Sequence, residues 1–483
     1  MRMRAAALLV AAALAAVALA VVGATGTEPP AARSGSTLQG TWADHDGNGT
    51  LERGPGERLV DRTELAPASR PVGELATFAQ LTDSHVRDEE SPARLTLLDR
   101  LGPPFNSTFR PHEALSAQTL AATVSALNRL RLDGVVITGD LADNAQRNEL
   151  DGALSVLGGG RVEPDSGRPG YDGPQTATEP DPFFYRPDAD APRRPGLLDR
   201  AQRPFRAPGL KAPWFVVSGN HDLLFQGELA PGPALQRIAT GSRRLVDLSE
   251  RARRLARGGE RSLARAGVLL RDGGLPGPTV PTASDPRRAL VSPPELARRL
   301  RAAGALGPTA RGLESSFDLG PEVRGIALDT VRRERGSGGI VRPASAAFLR
   351  RELKAAGRRR VVVFTHQPLR SAEGGRPLLR LLARDPRVVA VVSGHTHRNS
   401  IRPFGGLWLV ETASLADFPQ QARALRLVRT ERGLALETWM VDGRSTPLAD
   451  TARELAYLDT QGGRVTRAFG GRRDRNVRLH LSR

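Results

Sequence analysis

The sequence predicts an α/β fold whose main domain is interrupted by long insertions. From residue 75 onwards, short apolar runs alternate with stretches of helical spacing, a pattern typical of α/β proteins. The chain has 483 residues, is 39% hydrophobic and contains 51 glycines, so it can bury a sizeable core. Two stretches, 158–212 and 226–312, break the alternation with Pro-, Gly- and Arg-rich sequence. We predict that both are insertions rather than separate domains.

Each predicted element rests on its own pattern. Apolar runs of four to eight residues predict strands at 75–82, 135–138, 214–217, 325–328, 361–364, 388–392, 407–411, 425–428 and 434–440. Apolar residues at helical spacing predict helices at 113–132, 344–356 and 378–384. Arg-rich helical pieces are expected at 243–257 and 295–302, inside the second insertion.

The N-terminus predicts export. Arg2 and Arg4 precede an apolar run over 5–22, and small residues follow at 22–24, as in a secretory signal peptide. An uncleaved membrane anchor is the alternative, and either would place the rest of the chain outside the cytoplasm, attached to the membrane, if at all, through residues 1–24. We expect an extended polar segment over 25–70, one domain over 71–445 and a basic tail over 446–483, which is weakly patterned after Leu458.

The composition excludes several kinds of site. The chain has no cysteine, so it forms no disulfide and offers neither a thiolate metal ligand nor a Cys nucleophile. Its net charge of +18 comes almost wholly from arginine, because Lys211 and Lys354 are its only lysines. These arginines are spread along the chain and aromatic residues make up 4% of it, so we predict no specific nucleic-acid partner.

Five of the eight histidines come directly after a predicted strand, in turns that also contain Asp or Asn. These histidines are His85, His221, His366, His395 and His397, and the neighbouring polar residues are Asp83, Asp140, Asn220 and Asp222. Because ligands of open α/β sheets bind beyond the carboxyl ends of the strands, we expect these side chains to meet at one place. Glycines 139, 219 and 394 precede them, as expected where the backbone turns sharply.

This set of side chains suits a metal centre. His, Asp and Asn without Cys are ligands for divalent ions such as Mn, Zn, Fe, Co or Ni. The candidates are too many for one ion and suit two ions that share a carboxylate. Two ions about 3.5–4 Å apart can hold a phosphoryl group during an in-line displacement. The residues therefore predict two divalent metal ions whose identity stays open.

The order of these motifs resembles that of the calcineurin-like metallophosphoesterases. The motifs are Asp83-Ser84-His85, Gly139-Asp140, Gly219-Asn220-His221-Asp222, His366 and Gly394-His395-Thr396-His397. The resemblance extends roughly over residues 75–440, and the stretch 412–421 is similar to exported bacterial members of that superfamily. It implies a sandwich of two mixed β-sheets flanked by helices, interrupted by the insertions.

The resemblance also implies a role for each residue. One ion would be held by Asp83, His85, Asp140 and His397, and the other by Asp140, Asn220, His366 and His395, with Asp140 bridging the two. His221 would not be a ligand but would give a hydrogen bond or a proton to the phosphoryl oxygen or the leaving group. We predict that a carboxylate orients His221. Asp143 is the first candidate and Asp222 the second, although Asp222 could instead cap its turn.

These expectations define an exported phosphoric ester hydrolase that uses two divalent ions, with a hydroxide between the ions attacking phosphorus. Asp143 stands three residues after the bridging Asp140, where purple acid phosphatases carry a metal-binding Tyr, so a phosphodiesterase-like activity is expected. Hydrolysis of phosphomonoesters is the first alternative. The second is a non-catalytic surface module that binds polyanions and uses its metals for structure.

Overall fold

The computed structural model describes residues 36–101, 108–256, 276–334, 336–461 and 466–482. The predicted signal segment lies outside these ranges. Within them, no helix combines the length and the apolar character needed to cross a membrane.

The described part of the chain contains the following elements, numbered in chain order. The strands are β1 (Gly40–Ala43), β2 (Glu52–Pro55), β3 (Val60–Arg62), β4 (Pro71–Leu81), β5 (Gly134–Ile137), β6 (Gly160–Val162), β7 (Phe205–Ala207), β8 (Trp214–Val216), β9 (Arg243–Leu245), β10 (Thr279–Pro281), β11 (Ser315–Asp318), β12 (Val323–Ala327), β13 (Arg360–Phe364), β14 (Val388–Ser393), β15 (Ser400–Phe404), β16 (Leu407–Glu411), β17 (Gln421–Thr430), β18 (Gly433–Asp442) and β19 (Val477–Leu481). The α-helices are α1 (Ser116–Leu127), α2 (Arg147–Gly158), α3 (Leu197–Ala201), α4 (Pro233–Ala239), α5 (Glu250–Ala256), α6 (Pro293–Ala302), α7 (Pro343–Ala355), α8 (Gly375–Arg384) and α9 (Pro447–Gln461).

Two mixed sheets form the centre of the fold. The seven-stranded sheet has the order β3-β19-β18-β17-β4-β5-β8, and β4, β5 and β8 run parallel. The six-stranded sheet has the order β11-β12-β13-β14-β16-β15, in which β12, β13, β14 and β16 run parallel. The parallel strands β5 and β14 are buried along their whole length, which explains their continuous apolar sequence.

The sheets pack face to face, and helices cover both outer faces. Phe78 of one sheet meets Phe364 of the other edge to face, with 6.1 Å between the ring centroids, inside a core that both sheets share. Leu120 of α1 and Leu150 of α2 pack on the outer face of the seven-stranded sheet. Helices α7 and α8 cover the six-stranded sheet in the same way. The predicted α/β sandwich of two mixed sheets flanked by helices is therefore confirmed.

The predicted strands are all present, with small shifts at their ends. Strand β16 has the predicted bounds, while β4 starts earlier, at Pro71. The helix predicted over 113–132 is shorter: a 3-10 turn over Glu113–Leu115 leads into α1, which ends at Leu127. Beyond it the chain tightens, since the N–H groups of Arg129 and Leu130 bond the carbonyls three residues before them, and the Asn128 side chain bonds the backbone of Gly209 and Lys211.

Two expectations for less regular segments are wrong. Residues 243–245 form strand β9 rather than a helix, because Leu245 is buried while the strand pairs with β10; the helical piece begins at Glu250. The chain after Leu458, expected to be weakly patterned, contains the strand β19, which lies inside the seven-stranded sheet between β3 and β18. Helix α9 lies at the start of the segment 446–483.

Both insertions pack onto the chain that follows the first motif. Phe184 of the first insertion and Leu235 and Leu245 of the second share an apolar cluster with Leu97 and Phe109. The division of the chain into a signal, an extended segment, a domain with two insertions and a tail stays a prediction.

The insertions are also tied to the rest of the fold by a buried ion pair. Arg288 is fully buried, and its Nε lies 2.9 Å from Asp88 Oδ2 while an Nη donates to Ser166. One side chain of the second insertion thus joins the first insertion to the segment beside the metal motifs.

Candidate dinuclear metal centre

Every predicted ligand lies just beyond the carboxyl end of a parallel strand. Strands β4, β5 and β8 of one sheet end before Asp83, Asp140 and Asn220, and strands β13 and β14 of the other end before His366 and His395. The two sheets therefore deliver side chains to one shared edge. Three groups form there, in each of which the ligand atoms lie within 4.8 Å of one another: Asp83, His85 and His397; Asp140, His366 and His395; and His85, Asp140 and His221.

The backbone at this edge is strained where the ligands lie. Of the eight described non-glycine residues with positive φ, five are predicted ligands. They are Asp83 (52°), His85 (42°), Asp140 (51°), His395 (68°) and His397 (51°). Such left-handed conformations cost about 1–3 kcal/mol each and concentrate at functional sites. They let residues two apart in sequence turn to the same side, which an extended strand does not allow.

The first group has the spacing of ligands around one ion. His85 Nε2 lies 3.2 Å from His397 Nε2, and His397 Nε2 lies 3.4 Å from Asp83 Oδ1. Asp140 Oδ2 is 3.7 Å from His85 Nε2. Atoms that bind one ion at roughly 2.0–2.2 Å stand roughly 3.0–3.5 Å apart. Asp83, His85 and His397 therefore fit a divalent ion, and the Asp140 carboxylate stands just outside this range.

The second group is centred on His366. Its Nδ1 lies 2.7 Å from the carbonyl oxygen of Thr138, which can only accept, so Nδ1 carries a proton. Its Nε2 faces Asn220 Oδ1 at 2.9 Å and Asp140 Oδ2 at 3.2 Å. Asn220 donates through Nδ2 to the Gly227 carbonyl at 3.1 Å, so its Oδ1 is directed into the site. A nitrogen among two acceptor oxygens requires a proton or a cation.

The buried carboxylates of the site need positive charge to balance them. Burial opposes protonation of His366, but the charge of Asp140 prevails and raises its pKa to about 9. Burial also opposes protonation of His397, whose pKa is raised to about 10 by Asp417 and Asp83. Burial would raise the pKa of Asp83, yet the neighbouring histidines lower it. Without metal, protons on two histidines compensate the carboxylates, and ions with positive charge would displace those protons.

His221 stands beside the ligands, but the structure orients it differently from the prediction. Its Nδ1 lies 2.5 Å from the backbone carbonyl oxygen of Asp143, so this nitrogen donates and Nε2 is left for the site. The Asp143 carboxylate contacts His85 Nδ1 at 2.9 Å instead, and it also binds Arg87 and Arg94. The expectation that this carboxylate orients His221 is wrong, because both of its oxygens already face other partners.

Asp222, the second candidate for that role, caps the turn. Its carboxylate accepts hydrogen bonds from the backbone N–H groups of Gly219, Asp140, Leu141 and Ala142, at 2.8 to 3.1 Å. Burial and the charge of Asp140 raise its pKa to about 7, against these donors. Asp222 fixes the relative position of the turns after β5 and β8, and its predicted role in orienting His221 is wrong.

Sequence reasoning missed the buried partners of the ligands. Asp417 Oδ2 lies 2.5 Å from His397 Nδ1, and Arg110 Nε donates to Asp417 Oδ1 at 2.7 Å. Arg87 and Arg94 stand behind Asp143 in the same way. Asp417 lies in the stretch 412–421 that the resemblance singled out, which was a usable signal. The arginines gave no such signal, because nothing in the sequence distinguishes a buried arginine in a chain that contains so many.

The solved structures that resemble this chain have low sequence identity to it. No protein-family model matches the chain, and no curated protein matches it. A dimetal phosphatase from Danio rerio is 13% identical with a TM-score of 0.39, covering 76% of this chain and 96% of that one. A purple acid phosphatase from yellow lupin, Lupinus luteus, is 13% identical with a TM-score of 0.32, covering 79% of this chain and 54% of that one. At these values neither similarity carries a function over to this chain.

Proposed function

We propose that this chain is an exported hydrolase of phosphoric esters that acts with two divalent metal ions and prefers diesters. The observation that carries the proposal is the pair of ligand groups that meet at Asp140, at the joint edge of the two sheets. Two ions bound there would neutralise a phosphoryl group and activate water for attack on phosphorus. Export rests on the N-terminal sequence alone, and the diester preference rests on Asp143 at the position of the phosphatase Tyr.

In this proposal some residues of the chain hold the metal ions and another transfers a proton. Asp83, His85, Asn220, His366, His395 and His397 hold the ions, and Asp140 reaches both groups. His221 Nδ1 is fixed by the Asp143 carbonyl, so its Nε2 is available to a phosphoryl oxygen or a departing alcohol. A positioned histidine of this kind contributes about 10²–10⁴-fold in rate. A purely structural metal site has no use for such a group, which favours an enzyme over a polyanion-binding module.

Hydrolysis by metal-stripped protein tests the proposal. Bis(p-nitrophenyl) phosphate and p-nitrophenyl phosphate would be offered as diester and monoester, with Mn, Zn, Fe, Co and Ni returned singly. Asn220→Ala removes a ligand and should lose both bound metal and turnover. His221→Ala should keep its metal, measured by elemental analysis, and lose about 10²–10⁴-fold in turnover.

The outcomes separate the alternatives. Faster turnover of the diester supports the proposal, and faster turnover of the monoester replaces it with a phosphomonoesterase. Two bound ions without turnover of either ester, together with salt-sensitive polyanion binding that survives chelation, would establish the binding module instead. Export is tested separately, by determining the N-terminus and the cell fraction of the protein in a bacterium that expresses it.

A further inference from the structure

The two histidines that meet in the first ligand group are both held from behind by carboxylates. Asp143 Oδ1 lies 2.9 Å from His85 Nδ1, and Asp417 Oδ2 lies 2.5 Å from His397 Nδ1. His366 of the second group has a neutral backbone carbonyl in the corresponding place. A carboxylate that accepts from one ring nitrogen fixes the tautomer and makes the other nitrogen a stronger metal ligand.

The Asp417 carboxylate is buried and is held in place by an arginine. Its side chain is 12% exposed, and Arg110, whose side chain is 3% exposed, donates from Nε to Asp417 Oδ1 at 2.7 Å. The guanidinium keeps the carboxylate ionised in a buried place and leaves only Oδ2 for the histidine. A buried carboxylate without such a partner would be strongly disfavoured.

The loop that carries Asp417 is anchored to the strand end that carries another ligand. Leu415 donates from its backbone N–H to the Thr82 carbonyl at 3.1 Å, and Ser414 Oγ donates to the Asp83 carbonyl at 2.8 Å. His112 Nε2 lies 2.8 Å from the Ala416 carbonyl, two residues along the chain from Arg110. The Asp417 carboxylate is thereby held at a fixed distance from the site.

From this geometry we propose that Asp417, supported by Arg110, is a positioning residue of the metal centre: it fixes His397 with Nε2 directed at the ion in the group of Asp83, His85 and His397. The inference rests on the proposed function, which supplies the ions, but it concerns metal affinity and not the ester. It predicts that the two ions respond unequally to changes at Asp417, since His366 and His395 do not contact this carboxylate in the hydrogen bonds of the described residues.

Metal titration of Asp417→Asn tests the proposal. Chelator-stripped protein would be titrated with Mn²⁺ by calorimetry and with Co²⁺ by visible absorption, which reports the ligands directly. Loss of such a partner typically costs about 10- to 100-fold in metal affinity. We expect that loss for one of the two ions, with the other within about threefold of wild type, and recovery of hydrolysis at high Mn²⁺.

Glu437→Gln is the matched control. Glu437 is also a buried carboxylate held by arginines, with Arg426 Nε at 2.8 Å and Arg478 Nε at 2.7 Å, but it lies on β18 and bonds no histidine in the described part of the chain. It should lower stability without changing the affinity for either ion. Arg110→Met is a second test variant: it leaves the Asp417 carboxylate in place without its guanidinium, and should weaken the same ion by a smaller factor.

Wild-type affinity for both ions in Asp417→Asn would overturn the proposal, and so would an equal loss in Glu437→Gln. If Asp417→Asn does not fold, Arg110→Met gives the same decision. If wild-type protein binds two ions but hydrolyses no ester, while Asp417→Asn weakens one ion, the proposed function fails and the role of Asp417 stands.

Discussion

A single methyl group at Gly227 should disable the site. Gly227 has a φ of 66°, and a Cβ placed on it would lie 2.3 Å from His221 Nε2 and 2.7 Å from Asn220 Nδ2. Ordinary contact begins near 3.4 Å, so His221 has to move by about 1 Å. A displacement of about 1 Å in a catalytic group can cost about 100-fold in rate. We therefore expect Gly227→Ala to lose about 100-fold in kcat/KM on the diester at saturating Mn²⁺.

Gly304→Ala separates this clash from backbone strain. Gly304 has a φ of 69°, but no atom of the described residues lies within 4 Å of the Cβ position. A left-handed conformation costs an alanine about 1–2 kcal/mol, and both variants carry that cost. Thermal melts would measure it, and elemental analysis would show whether Asn220 still holds its ion in Gly227→Ala. If the two variants had kcat/KM values within about threefold of each other, the assignment of His221 to the reaction would be refuted.

Three further predictions concern metal and stability. His366 and His397, with pKa values of about 9 and about 10 without metal, are protonated at pH 7, so metal loading should release protons. The apparent affinity for metal should then rise with pH up to about 9, by about tenfold per pH unit for each proton displaced. Calorimetry in buffers of different ionisation enthalpy counts the protons released. A count of zero at pH 7 would contradict the protonation of these two histidines. Chelation should lower the urea midpoint, since an ion held at 100 times its Kd stabilises the fold by about 2.7 kcal/mol, and an unchanged midpoint would argue against bound ions in the folded state. Arg288→Ala should lower the free energy of unfolding by about 3–5 kcal/mol, because it leaves the buried Asp88 without its charged partner. The control Arg161→Ala removes an exposed pair with Glu163 and should change that free energy by less than about 1 kcal/mol. Similar losses in the two variants would show that the buried pair does not tie the insertions to the fold.

The sheets could be predicted because their signal is local. The Val-rich runs of β13 and β14 are buried on both faces, so continuous apolar sequence identifies them without any knowledge of their neighbours. The strands of the tail and of the second insertion gave no such signal. β19 alternates polar and apolar residues, which was a usable strand signal, and it pairs with β18 and β3. β9 has only three residues, two of them arginines, and it is paired with β10, distant in sequence.

The candidate ligands were predictable for the same reason, and their partners were not. Asp83, His85 and the other candidate ligands follow strands whose carboxyl ends share an edge, so strand order brings them together. Which group faces Nδ1 of each histidine depends on side-chain direction in folded loops. The Asp143 carboxylate therefore contacts His85, only the backbone carbonyl of Asp143 contacts His221, and the Asp222 carboxylate turns to the backbone.

The sequence by itself determined the α/β class, the central strands of the two sheets and the types of candidate metal-binding side chain, because these depend on composition and on residues near one another in the chain. The tertiary structure alone decided which carboxylate serves which histidine. Arg110 and Asp417 are 307 residues apart, and their pairing arises only when the loop after β16 packs against the chain before α1. Hydrogen bonds between such distant residues leave no periodic pattern in a sequence, so they can be identified only in the folded structure.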